Sequence, residues 1–88
     1  MNNREINIIY DIKRDDREIR ILGDYFVMNN RDKCKMIIDN KEYEIKKKYD
    51  VNNNKNKLNI ILKGINNVTD MSFMFNECSS LISLNIFK

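Results

Sequence analysis

The chain has 88 residues and a net charge of +3, and 42% of its residues are apolar while 33% are charged. This length suits one domain with a single small core. Histidine is absent and glycine occurs only twice, so the chain lacks the parts of a Ser-His-Asp triad or a glycine-rich phosphate loop, and we predict no enzymatic activity, cofactor or metal site.

Residues 6–12 alternate apolar and polar side chains, which is typical of a half-buried strand. A charged turn follows at residues 13–16, and the alternation continues at residues 19–21. These two runs predict a β-hairpin. Residues 24–33 then favour a single helical turn, with Asp24 as its N-cap.

A second hairpin is predicted within residues 34–45. Its apolar positions alternate on both sides of Asp39 and Asn40, two residues that tolerate the positive φ of a tight turn. Residues 46–56 are polar and rich in lysine and asparagine, so we expect a mobile loop. Alternation at residues 58–62 predicts a further strand.

The spacing of apolar residues changes in residues 67–81, which read NVTDMSFMFNECSSL. Four of them follow the i, i+3, i+4, i+7 spacing of one helix face: Met71, Met74, Phe75 and Cys78. This spacing predicts a helix of about two turns, with Thr69 or Asp70 as its cap. Residues 81–86 then begin another extended run.

Two short segments of the chain are near copies of each other. KLNII occupies residues 57–61 and SLNIF residues 83–87, at an offset of 26 residues. Strand, turn, short helix, turn and strand at this spacing are typical of a leucine-rich solenoid coil. We therefore predict an α+β, mostly β chain, with an antiparallel β cap in residues 1–56 and the first solenoid coil in residues 57–88.

The segment NVTDMSFMFNECSSLISLNIF resembles the BspA-type leucine-rich repeats that occur in bacterial surface proteins and in large protist families. The matching positions are Val68, Thr69, Asp70, Met71, Ser72, Met74, Phe75, Cys78, Ser79, Ser80, Leu81 and Leu84. The resemblance implies a right-handed solenoid coil with a parallel strand ladder, used for protein recognition or adhesion and not for catalysis. Residues before 67 are similar to the segment that precedes such repeats in some protist proteins.

The predicted solenoid would be incomplete, since a single coil cannot cover its own apolar face. Ile86 and Phe87 would lie at an open end whose unpaired backbone groups invite another strand. We expect a protein partner of unknown identity, or self-association through this open C-terminal coil. The other interpretations are that the chain begins a longer solenoid, or that residues 1–65 carry the fold.

An RNA- or phosphate-binding function is the alternative hypothesis, centred on residues 46–57. Five lysines lie in or beside this loop, with two tyrosines near them to stack on bases: Lys46, Lys47, Lys48, Lys55, Lys57, Tyr43 and Tyr49. Acidic residues are interleaved with them, and the net charge is low for a nucleic-acid-binding protein. The pattern therefore favours a solvated loop over nucleic acid binding.

Neither targeting nor disulfide chemistry is indicated. No apolar run is long enough for a secretory signal or a membrane span, so we expect a cytoplasmic protein without membrane insertion. Cys34 and Cys78 are too few and too far apart for a disulfide framework or a zinc site. We expect both to be buried free thiols.

Overall fold

The computed structural model of the chain describes residues 5–51, 56–65, 68 and 74–87. This part of the chain contains seven strands and one short helix. In chain order they are β1 (Glu5–Asp11), β2 (Glu18–Arg20), α1 (Asp24–Asn30), β3 (Lys35–Ile38), β4 (Lys41–Glu44), β5 (Lys48–Asp50), β6 (Lys57–Lys63) and β7 (Leu81–Phe87).

Five of the strands form one sheet in the order β4-β3-β6-β1-β7, and all of its neighbouring pairs are antiparallel. The remaining two, β2 and β5, form a separate antiparallel ribbon. β1 lies inside the large sheet, where it pairs with β6 along one side and with β7 along the other. The first strand of the chain is thus enclosed by the last two.

The core lies on one face of the sheet, because the alternation in β1 and β6 sends every second side chain to that face. Ile6, Ile8 and Tyr10 are buried, and the residues in between are only partly so. In β6, Leu62 and Ile60 lie directly opposite Ile6 and Ile8 and are buried as well. Each such aliphatic side chain contributes about 1.5–3 kcal/mol when it is fully removed from water.

Helix α1 and the β2-β5 ribbon supply further apolar side chains to the same core. They include Ile19, Ile21, Leu22, Phe26 and Val27, all buried. The hydroxyl of Tyr10 donates a hydrogen bond of 2.6 Å to the carbonyl of Ile21. The polar end of this buried ring therefore has a partner, as buried tyrosines require.

The predicted leucine-rich-repeat solenoid is wrong, because the two near-copy segments are not neighbours. They lie in β6 and β7, which would stand side by side in the parallel ladder of a solenoid, but β1 lies between them and is antiparallel to both. Ile8 faces Ile60 on one side and Leu84 on the other. Both segments carry the same alternation, so either can pair with β1, and antiparallel pairing is slightly the more stable per residue.

The predicted hairpin between residues 6–12 and 19–21 is also wrong. β2 pairs with β5, with Ile19 opposite Tyr49, while both sides of β1 are taken by longer strands. The expected mobile loop at residues 46–56 therefore contains strand β5. Tyr49 and the following Val51 pack against the core, which fixes this part of the segment. Residues 52–55 lie outside the described part.

Two predicted turns are confirmed. The β3-β4 hairpin turns at Asp39 and Asn40, whose φ angles are 53° and 66°, as its sequence predicts. The charged turn after β1 is closed by the amide of Asp16, which donates to the carbonyl of Lys13 at 3.0 Å. The carboxylate of Asp16 accepts the amide of Lys13 in return, at 2.8 Å.

Helix α1 confirms the predicted helix after Gly23, although its cap differs from the prediction. The N-cap is Gly23, and Asp24 is the first helical residue. Its carboxylate lies 2.7 Å from Nη2 of Arg20 instead of capping the helix. No described helix has the length and apolar character needed to cross a bilayer.

The two-turn helix predicted from Met71 to Cys78 falls only partly on described residues. Residues 69–73 lie outside them, and residues 74–77 form turns, with Glu77 at a φ of 61°. The amide of Cys78 donates to the carbonyl of Phe75 at 3.1 Å. The described half of the predicted helix is thus a turn that buries Met74 and Cys78.

Candidate functional site

The two edge strands of the large sheet differ sharply in charge. β4 has the sequence KEYE, whereas β7 has the sequence LISLNIF, which contains no charged residue. Natural edge strands are commonly protected by charged side chains, because an unprotected edge offers free backbone groups to another strand. β4 has this protection and β7 does not.

Within the described chain, β7 pairs with β1 alone. Ile9 lies opposite Ser83 and Tyr10 opposite Leu81, so Ile82 is the extra residue of a β-bulge. A bulge bends an edge locally, which leaves residues 83–87 as the regular part of the strand. We call residues 81–87 the β7 edge.

Apolar surface continues from the core to the β7 edge. Leu84 lies directly opposite the buried Ile8, so both side chains are on the core face of the sheet. Leu84 is nevertheless 44% exposed, and Ile82 is 51% exposed. Among the described residues, the core therefore ends at β7 with large apolar side chains still accessible to solvent.

The segment before β7 is anchored to the body of the protein by backbone hydrogen bonds. The amide of Gly23 donates to the carbonyl of Met74 at 2.7 Å, and the amide of Asp11 donates to the carbonyl of Ser80 at 2.7 Å. Leu81 packs against the core. The start of the β7 edge is thus held in place by β1 and by the residue before α1.

Both cysteines are free and buried, and neither has the character of a nucleophile. Burial raises the pKa of the Cys78 thiol to about 11, against a smaller opposing effect of the nearby Arg20 guanidinium. Burial also raises the pKa of the Cys34 thiol. Because the thiolate is the reactive form, these thiols serve packing at neutral pH. In the described ranges, no group of three or more His, Cys, Asp or Glu residues is arranged to hold a metal ion.

The lysines of residues 46–57 are dispersed and partly compensated. Nζ of Lys48 lies 3.4 Å from a carboxylate oxygen of Glu18, and Nζ of Lys57 lies 3.8 Å from one of Asp11. Lys55 falls outside the described residues. The structure therefore does not gather these side chains into one basic surface.

The two tyrosines that were predicted to stack on bases contact a lysine instead. Nζ of Lys46 lies 6.0 Å from the ring centre of Tyr43 and 5.7 Å from that of Tyr49. These distances are those of cation–π contacts. Both rings thus face a cation from the same segment.

Sequence reasoning placed an open end at Ile86 and Phe87, and the structure places these residues in strand β7 at the edge of the sheet. The lack of charge in LISLNIF was readable from the sequence. Its position at the edge was not, since it depends on pairing between distant segments.

Comparisons of the chain with family models, with curated proteins and with solved structures find no match. The resemblance of residues 67–87 to BspA-type repeats therefore stays a prediction.

Proposed function

We propose that this protein is a non-catalytic recognition module that binds an extended, uncharged segment of a partner protein along the β7 edge. The observation that carries the proposal is a seven-residue edge strand without a charge, beside a core whose apolar surface stays accessible at Leu84 and Ile82. The same sheet protects its other edge with the charges of β4.

The proposed binding mode is strand addition. Backbone hydrogen bonds to an edge strand provide affinity for any extended segment, and the side chains of alternate residues provide selectivity. A partner strand paired with residues 83–87 would place an apolar side chain beside Leu84 and extend the core. A charged side chain at that position would lose its hydration without an opposite charge nearby in β7.

Recognition of protein is favoured over RNA or phosphate because of how the lysines are arranged. Lys48 and Lys57 lie near carboxylates, and Lys46 covers both tyrosine rings. A cytoplasmic location is part of the proposal. It is supported by the two free, buried thiols, since a reducing compartment keeps thiols in that state.

The proposal is tested by site-specific photo-crosslinking in the source cells. p-Benzoylphenylalanine replaces Ile82 at the β7 edge in one variant and Glu42 in β4 in the other, and both positions are exposed. We expect a defined protein adduct from position 82 and not from position 42. Mass spectrometry of the adduct should locate the crosslink in an uncharged, extended segment of the partner.

Two lysine substitutions serve as matched variants of the crosslinking protein. Leu84→Lys places a charge on the β7 edge, and Tyr43→Lys does so at a similarly exposed apolar position of β4. Only Leu84→Lys should abolish the adduct. Equal loss with both variants, adducts with RNA alone, or a crosslinked dimer of this chain as the sole product would each contradict the proposal.

A further inference from the structure

A second surface lies between helix α1 and the segment that joins β4 to β5. A groove of about 400 Å³ there is lined by Asp24, Val27, Met28, Arg31, Lys46 and Lys47. The four residues from the helical side are spaced i, i+3, i+4 and i+7, so they share one face of α1 and its C-cap. We call this surface the α1 groove.

The lysine wall of the α1 groove is held in place by the chain around it. The carbonyl of Lys47 accepts the amide of Ile21 at 2.9 Å. The ammonium of Lys46 is positioned over the rings of Tyr43 and Tyr49, and the preceding Ile45 is buried. A surface ordered in this way loses less entropy when it binds.

The floor of the α1 groove is apolar. Val27 is buried, and the neighbouring Met28 is 64% exposed. An exposed methionine is suited to binding because its flexible, polarizable side chain adapts to the shape of a partner. The floor therefore offers an apolar contact between two polar walls.

The charges of the α1 groove are predominantly positive. Arg31, Lys46 and Lys47 supply three cations. The carboxylate of Asp24 is the opposite charge, and it already lies 2.7 Å from Nη2 of Arg20. Complementarity therefore requires a negatively charged ligand with an apolar part.

From this arrangement we propose that the α1 groove binds an acidic peptide segment of a partner protein, with one apolar side chain on Met28 and carboxylates directed at Arg31, Lys46 and Lys47. A peptide fits better than a nucleic acid, because single-stranded nucleic acids are bound mainly by stacking on aromatic rings and the floor here is Val27 and Met28. The rings of Tyr43 and Tyr49 face Lys46.

This surface is distinct from the β7 edge. None of its lining residues belongs to β7, and its ligand is charged whereas the strand proposed for the edge is neutral. Binding in the α1 groove should therefore weaken as salt is added, and binding along the β7 edge should depend on salt much less.

The test is a fluorescence-anisotropy titration of the full chain with the fluorescein-labelled peptide DEDLFEDE. Two control peptides separate charge from apolar contact: DEDGSEDE keeps every carboxylate, and KKKLFKKK keeps the apolar pair with opposite charge. We expect DEDLFEDE to bind about tenfold more tightly than DEDGSEDE, which corresponds to one good apolar contact. KKKLFKKK should not bind.

Three variants assign the binding to the α1 groove. Arg31→Glu and Lys47→Glu should each weaken the binding of DEDLFEDE about tenfold or more, because each replaces an attraction with a repulsion. Met28→Gln should weaken it about fivefold by removing the apolar contact. Lys41→Glu changes the net charge by the same amount at an exposed position outside the groove, and it should leave the affinity within about twofold.

Three results would overturn the proposal. Equal weakening by Lys41→Glu would mean that a diffuse field of charge binds the peptide. Equal affinity for DEDGSEDE and DEDLFEDE would mean that Met28 makes no contact. Tighter binding of an eight-nucleotide oligothymidylate that displaces DEDLFEDE would assign the groove to nucleic acid. Thermal unfolding of each variant shows that the fold is retained, which is expected because all four substituted residues are exposed.

Discussion

Ile8 and Leu84 lie directly opposite each other in the β1-β7 pair, yet Ile8 is fully buried whereas Leu84 is 44% exposed. Both side chains belong to the core face of the sheet. The difference arises from position, since β1 has a strand on each side and β7 is an edge. Across this single pair of strands the protein passes from core to accessible surface.

Truncation of these two residues should therefore have very different costs. Ile8→Ala should lower the free energy of unfolding by about 2–5 kcal/mol, since it removes buried methyl groups and leaves a cavity. Leu84→Ala should cost less than about 1.5 kcal/mol, because much of its side chain is already in water. Urea unfolding of both variants measures the difference. Equal losses would mean that Leu84 is covered in solution.

The hydroxyl of Tyr10 should contribute to stability through its bond to the carbonyl of Ile21. Tyr10→Phe keeps the ring and removes the donor, which leaves a buried carbonyl without that partner. We expect the free energy of unfolding at neutral pH to fall by about 1–2 kcal/mol. The exposed Tyr25 provides a matched control, and Tyr25→Phe should change stability by less than about 0.5 kcal/mol. If both substitutions are neutral, the Tyr10 bond contributes nothing.

Stability should fall in alkaline solution through Cys78. Burial raises the pKa of its thiol from 9.0 to about 11, so between these pH values the unfolded chain releases the proton while the folded chain keeps it. The contribution of this thiol is fully present below pH 9 and is lost as the pH rises towards 11.

The measurement for Cys78 is the change in the free energy of unfolding between pH 8 and pH 10.5. Lysine and tyrosine side chains also titrate in this range, so the comparison is with Cys78→Ala. The variant should lose less stability over the interval than the parent protein does. If both lose the same amount, the thiol does not titrate differently in the two states.

The turn between β3 and β4 should respond in opposite directions to two substitutions of Asn40. Its φ of 66° lies in the left-handed region, which costs an L residue other than Asn or Asp about 1 kcal/mol and costs glycine nothing. Asn40→Ala should therefore destabilise the protein by about 1 kcal/mol, and Asn40→Gly should be neutral or slightly stabilising. Thermal unfolding distinguishes these outcomes. A more stable alanine variant would contradict the turn geometry.

Much of the local structure was predictable from the sequence. The alternation around Ile8 and Ile60 predicts β1 and β6, and Asp39 and Asn40 predict a turn because they tolerate positive φ. These features depend on neighbouring residues and on the period of a strand. Such signals are present in any short window of the chain.

The order of the strands was not predictable in the same way. Alternation in β6 and β7 states that each has an apolar face, but not that β1 lies between them. The repeat-like similarity of the two segments favoured direct pairing, and this was wrong because both fit the same central strand. The bulge at Ile82 and the exposure of Leu84 follow from that order, so the candidate site could not be located from the sequence either.

The central position of β1 has a consequence for how the protein is made. β1 leaves the ribosome first, whereas both of its partners, β6 and β7, belong to the last part of the described chain. Until they emerge, a strand that contains Ile6, Ile8 and Tyr10 has no sheet to join. Pairing between segments so far apart is slow, and apolar strands left waiting are prone to aggregate. The nascent chain therefore has its greatest need of a chaperone before β6 has been synthesised.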